Sequence, residues 1–360
     1  MTTTAPRSAE RAVDTPLTTV PRVGGVLPRW GTWAVLAAAA ALVGGLLALV
    51  GFSISLFILA TALLFGVAVY LWSRVIEGRR RAKDRLVTIT VTGAFLLALA
   101  PLVSVVVTVL LKGLERFDPM FFTYSMSGIL GPGGGAYHAI MGTLIITGLA
   151  AVMSIPIGLL AAIYLVEYGR GRLARAITFF VDVMTGIPSI VAGLFAVALF
   201  ALFVGPGARL GIMGAIALSV LMVPVVVRAT EEMLKIVPNE LREASYALGV
   251  SKWRTIVKVV LPTAVAGIAA GITLAIARVI GETAPLLITV GLTTAVNLNP
   301  FAGRMATLPV FSYYSYASPG IPREAFVDRA WTAALVLIII VLGLNLIARL
   351  IARVFAPKTR

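Results

Sequence analysis

Eight long apolar runs dominate this chain: Trp33 to Val50, Ser55 to Trp72, about Leu86 to Leu111, Ala139 to Val166, Ile177 to Val204, Met213 to Val227, Leu261 to Val290 and Trp331 to Phe355. Most approach or exceed the roughly 20 residues with which an α-helix crosses a bilayer. Lipid offers no partner to a backbone amide, so each run is expected to satisfy its own hydrogen bonds as a helix. The expected fold class is all-α integral membrane, with about eight transmembrane helices. With 59% hydrophobic and 12% charged residues, little chain remains for a soluble domain, which excludes soluble enzyme folds. Residues 1–32 are Thr-, Pro- and Arg-rich and predict a disordered tail. The first apolar run starts too far in, and continues too long, to be a cleaved signal.

The formal charge of +15 would suggest nucleic acid in a soluble protein. Here the basic residues fall into short loops. With the N-terminus inside, 23 of the 30 Lys and Arg residues lie on the cytoplasmic side, in the tail, around Arg74–Arg85, at Arg170–Arg175, between Arg228 and Lys258, and after Arg349. Six lie on the other side: Lys112, Arg116, Arg209, Arg304, Arg323 and Arg329. Cytoplasmic loops of membrane proteins carry this excess. The split predicts a multi-pass protein of the cell membrane, surrounded by lipid, with both termini cytoplasmic and no nucleic-acid partner. Arg278 alone falls in the interior of a run, away from its ends. Cysteine is absent and His138 is the single histidine, so no disulfide, Cys-ligated metal or paired-imidazole site is expected.

One cytoplasmic segment, 238–262, carries a pattern. Pro238 and Asn239 interrupt the preceding helix and open another, with Glu240 in a first turn where the helix dipole favours an anion. Leu241, Ala244, Tyr246 and Leu248 interleave with charged residues, Gly249 supplies a turn, and Trp253, Ile256 and Val260 return to the bilayer at helical spacing. Composition alone also fits a helix lying on lipid. The residues resemble the EAA-x3-G-x9-I-x-LP loop of binding-protein-dependent ABC transporter permeases: Glu243-Ala244-Ser245, Gly249, Val259 and Leu261-Pro262 match at the required spacing, with Ser245 and Val259 as conservative departures. The resemblance implies the MetI-like permease core. It also implies that Glu243, Ala244, Ser245 and Gly249 form a coupling helix docked on a separate ATP-binding subunit. This chain has no G-x-x-x-x-G-K-[ST] loop, so ATP with Mg is expected on the partner, with no cofactor here and no enzymatic activity.

Arg278 lies in the stretch Ala277-Arg278-Val279-Ile280-Gly281-Glu282-Thr283-Ala284-Pro285-Leu286-Leu287. An arginine at that depth is costly unless it faces protein or water. Glu282 follows four residues on and is expected on the same helix face, with Gly281 and Pro285 loosening the helix and Thr283 adding a hydroxyl. One account is a buried ion pair that fixes packing. The other is an anion path: a guanidinium suits a tetrahedral oxyanion, and a neighbouring carboxylate accepts a hydrogen bond from a protonated one, which favours phosphate over sulfate.

This stretch resembles that of phosphate ABC transporter permeases of the A type. So do Val181–Phe195, Val223–Glu231 and Leu344–Arg349, and together the similar stretches span about 86–355. The resemblance implies translocation residues at Arg278 and Glu282, with Thr283 beside them. It also implies a homologous second permease, two ATP-binding subunits and an extracytoplasmic phosphate-binding protein as partners. The expected organisation is a tail (1–32), an extra transmembrane hairpin with a basic loop (33–85), and a permease domain (86–360). Sulfate or molybdate import is the nearest alternative, and a secondary transporter a more distant one. Asp182 is expected either inside the bundle or at the interface. Pro188 and Pro224 are expected to kink helices, His138 to sit at the interface, and the aromatic segment Pro309–Tyr316 to lie in an outer loop.

Overall fold

The structure is a computed structural model, and it describes residues 27–28, 30–129 and 131–355. The expected tail through residue 26 lies outside the described residues, as do Arg29, Lys358 and Arg360 of the charge count. The described residues are helical or loop, without a strand. They group into two compact units, one through Ser104 and one from Val105 to Arg360.

The first unit holds α1 (Gly31–Val50), α2 (Ile54–Ile76) and most of α3 (Arg79–Gly113). A basic loop was expected after α2, yet only Glu77 and Gly78 separate the two helices. Arginine, lysine and alanine are good helix formers, so the Arg79–Arg85 cluster becomes the opening turns of α3. Glu77 organises the corner. Its carboxylate receives Arg85 through two parallel bonds of 2.6 and 2.8 Å, the Ser73 hydroxyl at 2.7 Å and the Leu27 N–H at 2.8 Å. The Arg85 guanidinium, aided by these donors, outweighs the cost of burial and holds the carboxyl at about 2 instead of 4.5.

The second unit continues with α4 (Pro119–Thr123), α5 (Tyr137–Ile163) extended by a π-helical turn at Tyr164–Tyr168, α6 (Arg172–Gly186), α7 (Ser189–Phe203) and α8 (Gly211–Ile236). Then come α9 (Asn239–Ala247), α10 (Lys252–Thr255), a second π-helical turn at Ile256–Val260, α11 (Leu261–Ile280), α12 (Ala284–Thr289), α13 (Leu308–Ala317) and α14 (Arg323–Phe355). Ile146, Leu218, Met222, Val279, Leu286 and Val290 fill a core shared by α5, α8, α11 and α12.

Among the described residues, seven helices are long and apolar enough to cross a membrane, or eight if a bent pair counts as one span. That pair is α6 and α7, set at 109°, where a single run from Ile177 to Val204 was expected. Pro188 lacks the amide a continuing helix needs and forces Ile187 into extended backbone, so it breaks the helix instead of kinking it. Pro224, by contrast, sits inside an unbroken α8.

The expected seventh span also divides. α11 stops at Ile280, and α12 starts anew at Ala284 with Pro285 in its first turn. The loop expected between this span and the last one contains α13, whose Leu308 and Phe311 are buried against α5 and α14. His138 is buried rather than interfacial, 2% exposed, with its ring edge-on to Phe311.

Candidate functional site: the coupling corner and the intramembrane arginine

The corner between α8 and α11 takes the shape its sequence predicts. α8 ends at Ile236, Val237 and Pro238 are extended, and α9 begins at Asn239. The chain reverses at Gly249 with φ +75°, a left-handed conformation that costs a side-chain-bearing residue about 1–2 kcal/mol. The Gly249 N–H returns to Tyr246 O at 2.9 Å and the Val250 N–H to Ser245 O at 3.2 Å, which closes the helix end.

The four residues assigned to coupling divide between two roles. Glu243, Ala244 and Gly249 are exposed and available to a partner. Ser245 is buried and shares a 2.8 Å hydrogen bond with the Thr255 hydroxyl, so its small side chain serves contact within the corner. Leu248 and Trp253 project beside the exposed set, 83% and 58% exposed.

Sequence reasoning placed Arg242 among the polar residues that interleave along α9, whereas the structure makes it the anchor. Its guanidinium reaches Glu167 at the end of α5 and donates to Leu234 O at 3.0 Å and Val237 O at 2.7 Å, the free carbonyl end of α8. Lys252 adds a bond to the Glu167 carbonyl and stands 4.6 Å over the Tyr168 ring. The corner is thereby fastened to two long helices. No sequence signal marks Glu167 as the partner, because it lies 75 residues away.

Asp182, left open between bundle interior and interface, is paired with Arg228 and is itself 60% exposed. Arg228 also meets Glu231 at 2.7 Å, which in turn takes Lys235 at 2.7 Å, so the chain of charges ties α6 to the coupling-side half of α8.

Arg278 occupies the last turn of α11, and Glu282 and Thr283 lie in the break before α12. They do not share one continuous helix, as the four-residue spacing had suggested, because Gly281 and Pro285 end one helix and start the next. Each charge sits at a helix end of favourable sign, the cation at a C-terminus and the carboxylate before an N-terminus. Among the described residues no ion pair joins Arg278 to Glu282, so the packing account of the pair is not what forms within this chain. Arg278 is exposed, while Glu282 and Thr283 are half-buried. Gly271 of α11 packs on Ala229, and Gly214 packs on Leu286 and Val290, which puts Arg278 level with the middle of α8.

A family model described as binding-protein-dependent transport system inner membrane component matches residues 154–360. The chain belongs to this family. Among its relatives, the phosphate transport system permease protein PstA 1 of Mycobacterium tuberculosis is 48% identical over 285 residues, 78% of this chain and 91% of the relative. The PstA protein of Mycobacterium leprae is 46% identical over 278 residues, 76% of this chain and 90% of that one. The PstA protein of Yersinia pestis is 38% identical over 281 residues, 78% of this chain and 92% of that one. Among solved structures, a bacterial alginate ABC transporter in complex with its alginate pentasaccharide-bound periplasmic protein has a chain of the same fold, at TM-score 0.55 and 14% identity, covering 77% of this chain and 97% of that one. Membership accounts for the multi-pass, all-α architecture of this permease. Among the described residues no His, Asp and Glu cluster could hold a metal ion.

Proposed function

We propose that this chain is the A-type permease subunit of an ATP-driven phosphate importer, with Arg278, Glu282 and Thr283 on the translocation path and the 238–262 corner as its coupling element. The single observation that carries the site is Arg278 itself: an exposed side chain at the level of mid-bundle, unpaired among the described residues. A cation so placed needs either a second subunit or an aqueous anion path beside it. A homologous second permease supplies the facing wall, and the hydrated path between the two passes Arg278. The relatives named for phosphate transport support that choice of anion. Glu282 supports it chemically, since a carboxylate near the guanidinium repels a bare dianion but accepts a hydrogen bond from the proton that hydrogen phosphate still carries near neutral pH.

Two ATP-binding subunits carry ATP and Mg and dock on Glu243, Ala244 and Gly249, and an extracytoplasmic phosphate-binding protein delivers the anion to the opposite face. The permease itself is not an enzyme. The positive-inside distribution supports a cytoplasmic side for the coupling corner and both termini. Residues 33–85 form an accessory hairpin. Uptake of labelled phosphate by the reconstituted complex tests the reading. It should require ATP and fall with excess unlabelled phosphate; uptake suppressed by sulfate alone, or sustained by an ion gradient without ATP, would overturn it.

A further inference from the structure

At the end of the bundle remote from the coupling corner, Arg209 and Arg304 converge from different segments onto one point of backbone. Arg209 lies two residues before α8, a helix of 26 residues and so about 39 Å from that corner. The point is Gly291, with φ +71°: a Cβ built there would stand 3.1 Å from Arg209 Cδ and 3.4 Å from Arg304 Cδ. A side chain at 291 would therefore press on both arginine stems, and its absence lets them come together there.

Both backbones are pinned at that place. The Leu210 N–H, next to Arg209, donates to Thr289 O at 3.2 Å, and the Met305 N–H, next to Arg304, donates to Val290 O at 3.3 Å. The Asn297 side chain donates to Arg304 O at 2.9 Å and to Ala302 O at 2.7 Å, which holds the intervening loop closed. Arg209 Nη1 gives one bond, to Leu287 O at 3.2 Å, leaving the rest of its donors uncommitted. The Arg304 side chain has no partner among the described residues and is exposed.

Nothing nearby in sequence neutralises the pair. No Asp or Glu occurs between Asp182 and Glu231, or between Glu282 and Glu324. Two cations held side by side without a carboxylate repel one another, and each retains planar N–H donors matched to tetrahedral oxygens. We infer that Arg209 and Arg304 form a seat for a tetrahedral oxyanion at the mouth of the path, upstream of Arg278. Gly291 is the residue whose missing side chain lets the two arginine stems converge. Identifying the anion as phosphate rests on the import reading above; the seat itself rests on the geometry. The seat gathers the anion from the binding protein's side, and α12, six residues long, lies between it and the break that holds Glu282 and Thr283.

The test is equilibrium binding of labelled inorganic phosphate to the purified transporter complex in lipid nanodiscs, without binding protein. An Arg278→Ala background makes the binding report this seat alone. Arg209→Gln with Arg304→Gln should weaken binding about tenfold or more, and Arg304→Gln alone several-fold, with the wild-type affinity falling as salt rises. The Arg304 side chain has no hydrogen-bond or ionic partner among the described residues, so the single variant reads the seat even if the double variant assembles poorly. Unchanged phosphate binding in both variants overturns the seat. So does unchanged phosphate binding together with lost association of the binding protein, which would make the pair a docking surface. If labelled sulfate binds instead of phosphate and is lost in the variants, the seat stands and the phosphate reading falls.

Discussion

Arg242 closes on Glu167 with its Nη2 2.9 Å from the carboxylate, and the two side chains are only 12% and 5% exposed. Breaking a buried pair from one side leaves an uncompensated charge, at a cost of about 3–5 kcal/mol. Arg242→Ala should therefore loosen the coupling corner. In the assembled transporter the expected outcome is ATP hydrolysis that no longer responds to the loaded binding protein, while Arg242→Ala with Glu167→Gln recovers part of the thermal stability. Equal losses in the single and double variants would show that the pair is not the anchor.

Gly249→Ala tests the reversal that presents the coupling face. The left-handed backbone penalises alanine by about 1–2 kcal/mol, and proline more, since the Gly249 N–H is bonded to Tyr246 O. Co-purification with the ATP-binding subunit should fall for alanine and be lost for proline. Normal recovery of both variants with the subunit would remove Gly249 from the coupling role.

Arg278→Ala is expected to abolish phosphate uptake while the complex still assembles, because the side chain makes no hydrogen bond or ion pair among the described residues. Arg278→Lys keeps the charge but loses the planar donor fork, so uptake should survive at a reduced rate. Wild-type uptake by the alanine variant would return Arg278 to a purely structural role.

Glu77 gives the α2–α3 corner an acid-sensitive stability. Its folded carboxyl is held at about 2 against 4.5, so its stabilising contribution is complete above pH 4.5 and is lost as pH falls from there toward 2. Glu77→Gln should be less stable at neutral pH and should show a flatter dependence on pH across that window in detergent-challenge unfolding. Parallel curves for variant and wild type would mean that Arg85 does not hold the carboxylate in solution.

Thr143 joins α5 to α13. Its hydroxyl accepts the Leu308 N–H at 2.8 Å, an otherwise orphaned amide at the start of α13, and donates to Ala139 O at 2.8 Å. Thr143→Val keeps the shape and leaves that buried amide unpaired, at about 1–3 kcal/mol. A lowered melting temperature of the purified protein is the measure, and an unchanged one would argue against the cap.

The coupling corner was legible because its signals are local: Pro238, Gly249 and Leu261-Pro262 act within a few residues of themselves. The apolar runs were legible for the same reason, through their length. Their interruptions were less so. Pro188 and Pro285 look like kinks in a sequence, since whether a helix bends or restarts depends on what its neighbours bury; here α12 packs against α7 and α8. Contacts of high sequence separation were invisible, among them Glu167 with Arg242, Asp182 with Arg228, and Arg209 beside Arg304 at Gly291. His138 shows the converse error: a polar residue at the end of an apolar run suggested an interface, but α13 covers it.

Two helices that meet the coupling corner carry a π-helical turn beside it, Tyr164–Tyr168 at the end of α5 and Ile256–Val260 before α11. Such a turn holds one residue more than an α turn. Restoring α geometry at 256–260 would swing everything beyond it by about 100° around the axis and shift it about 1.5 Å along the axis. Arg278 rides on that far portion. A one-residue slip beside that corner would thus carry its guanidinium from one side of α11 to another and, on the proposed reading, turn a push at the membrane surface into a change of the wall that the anion meets.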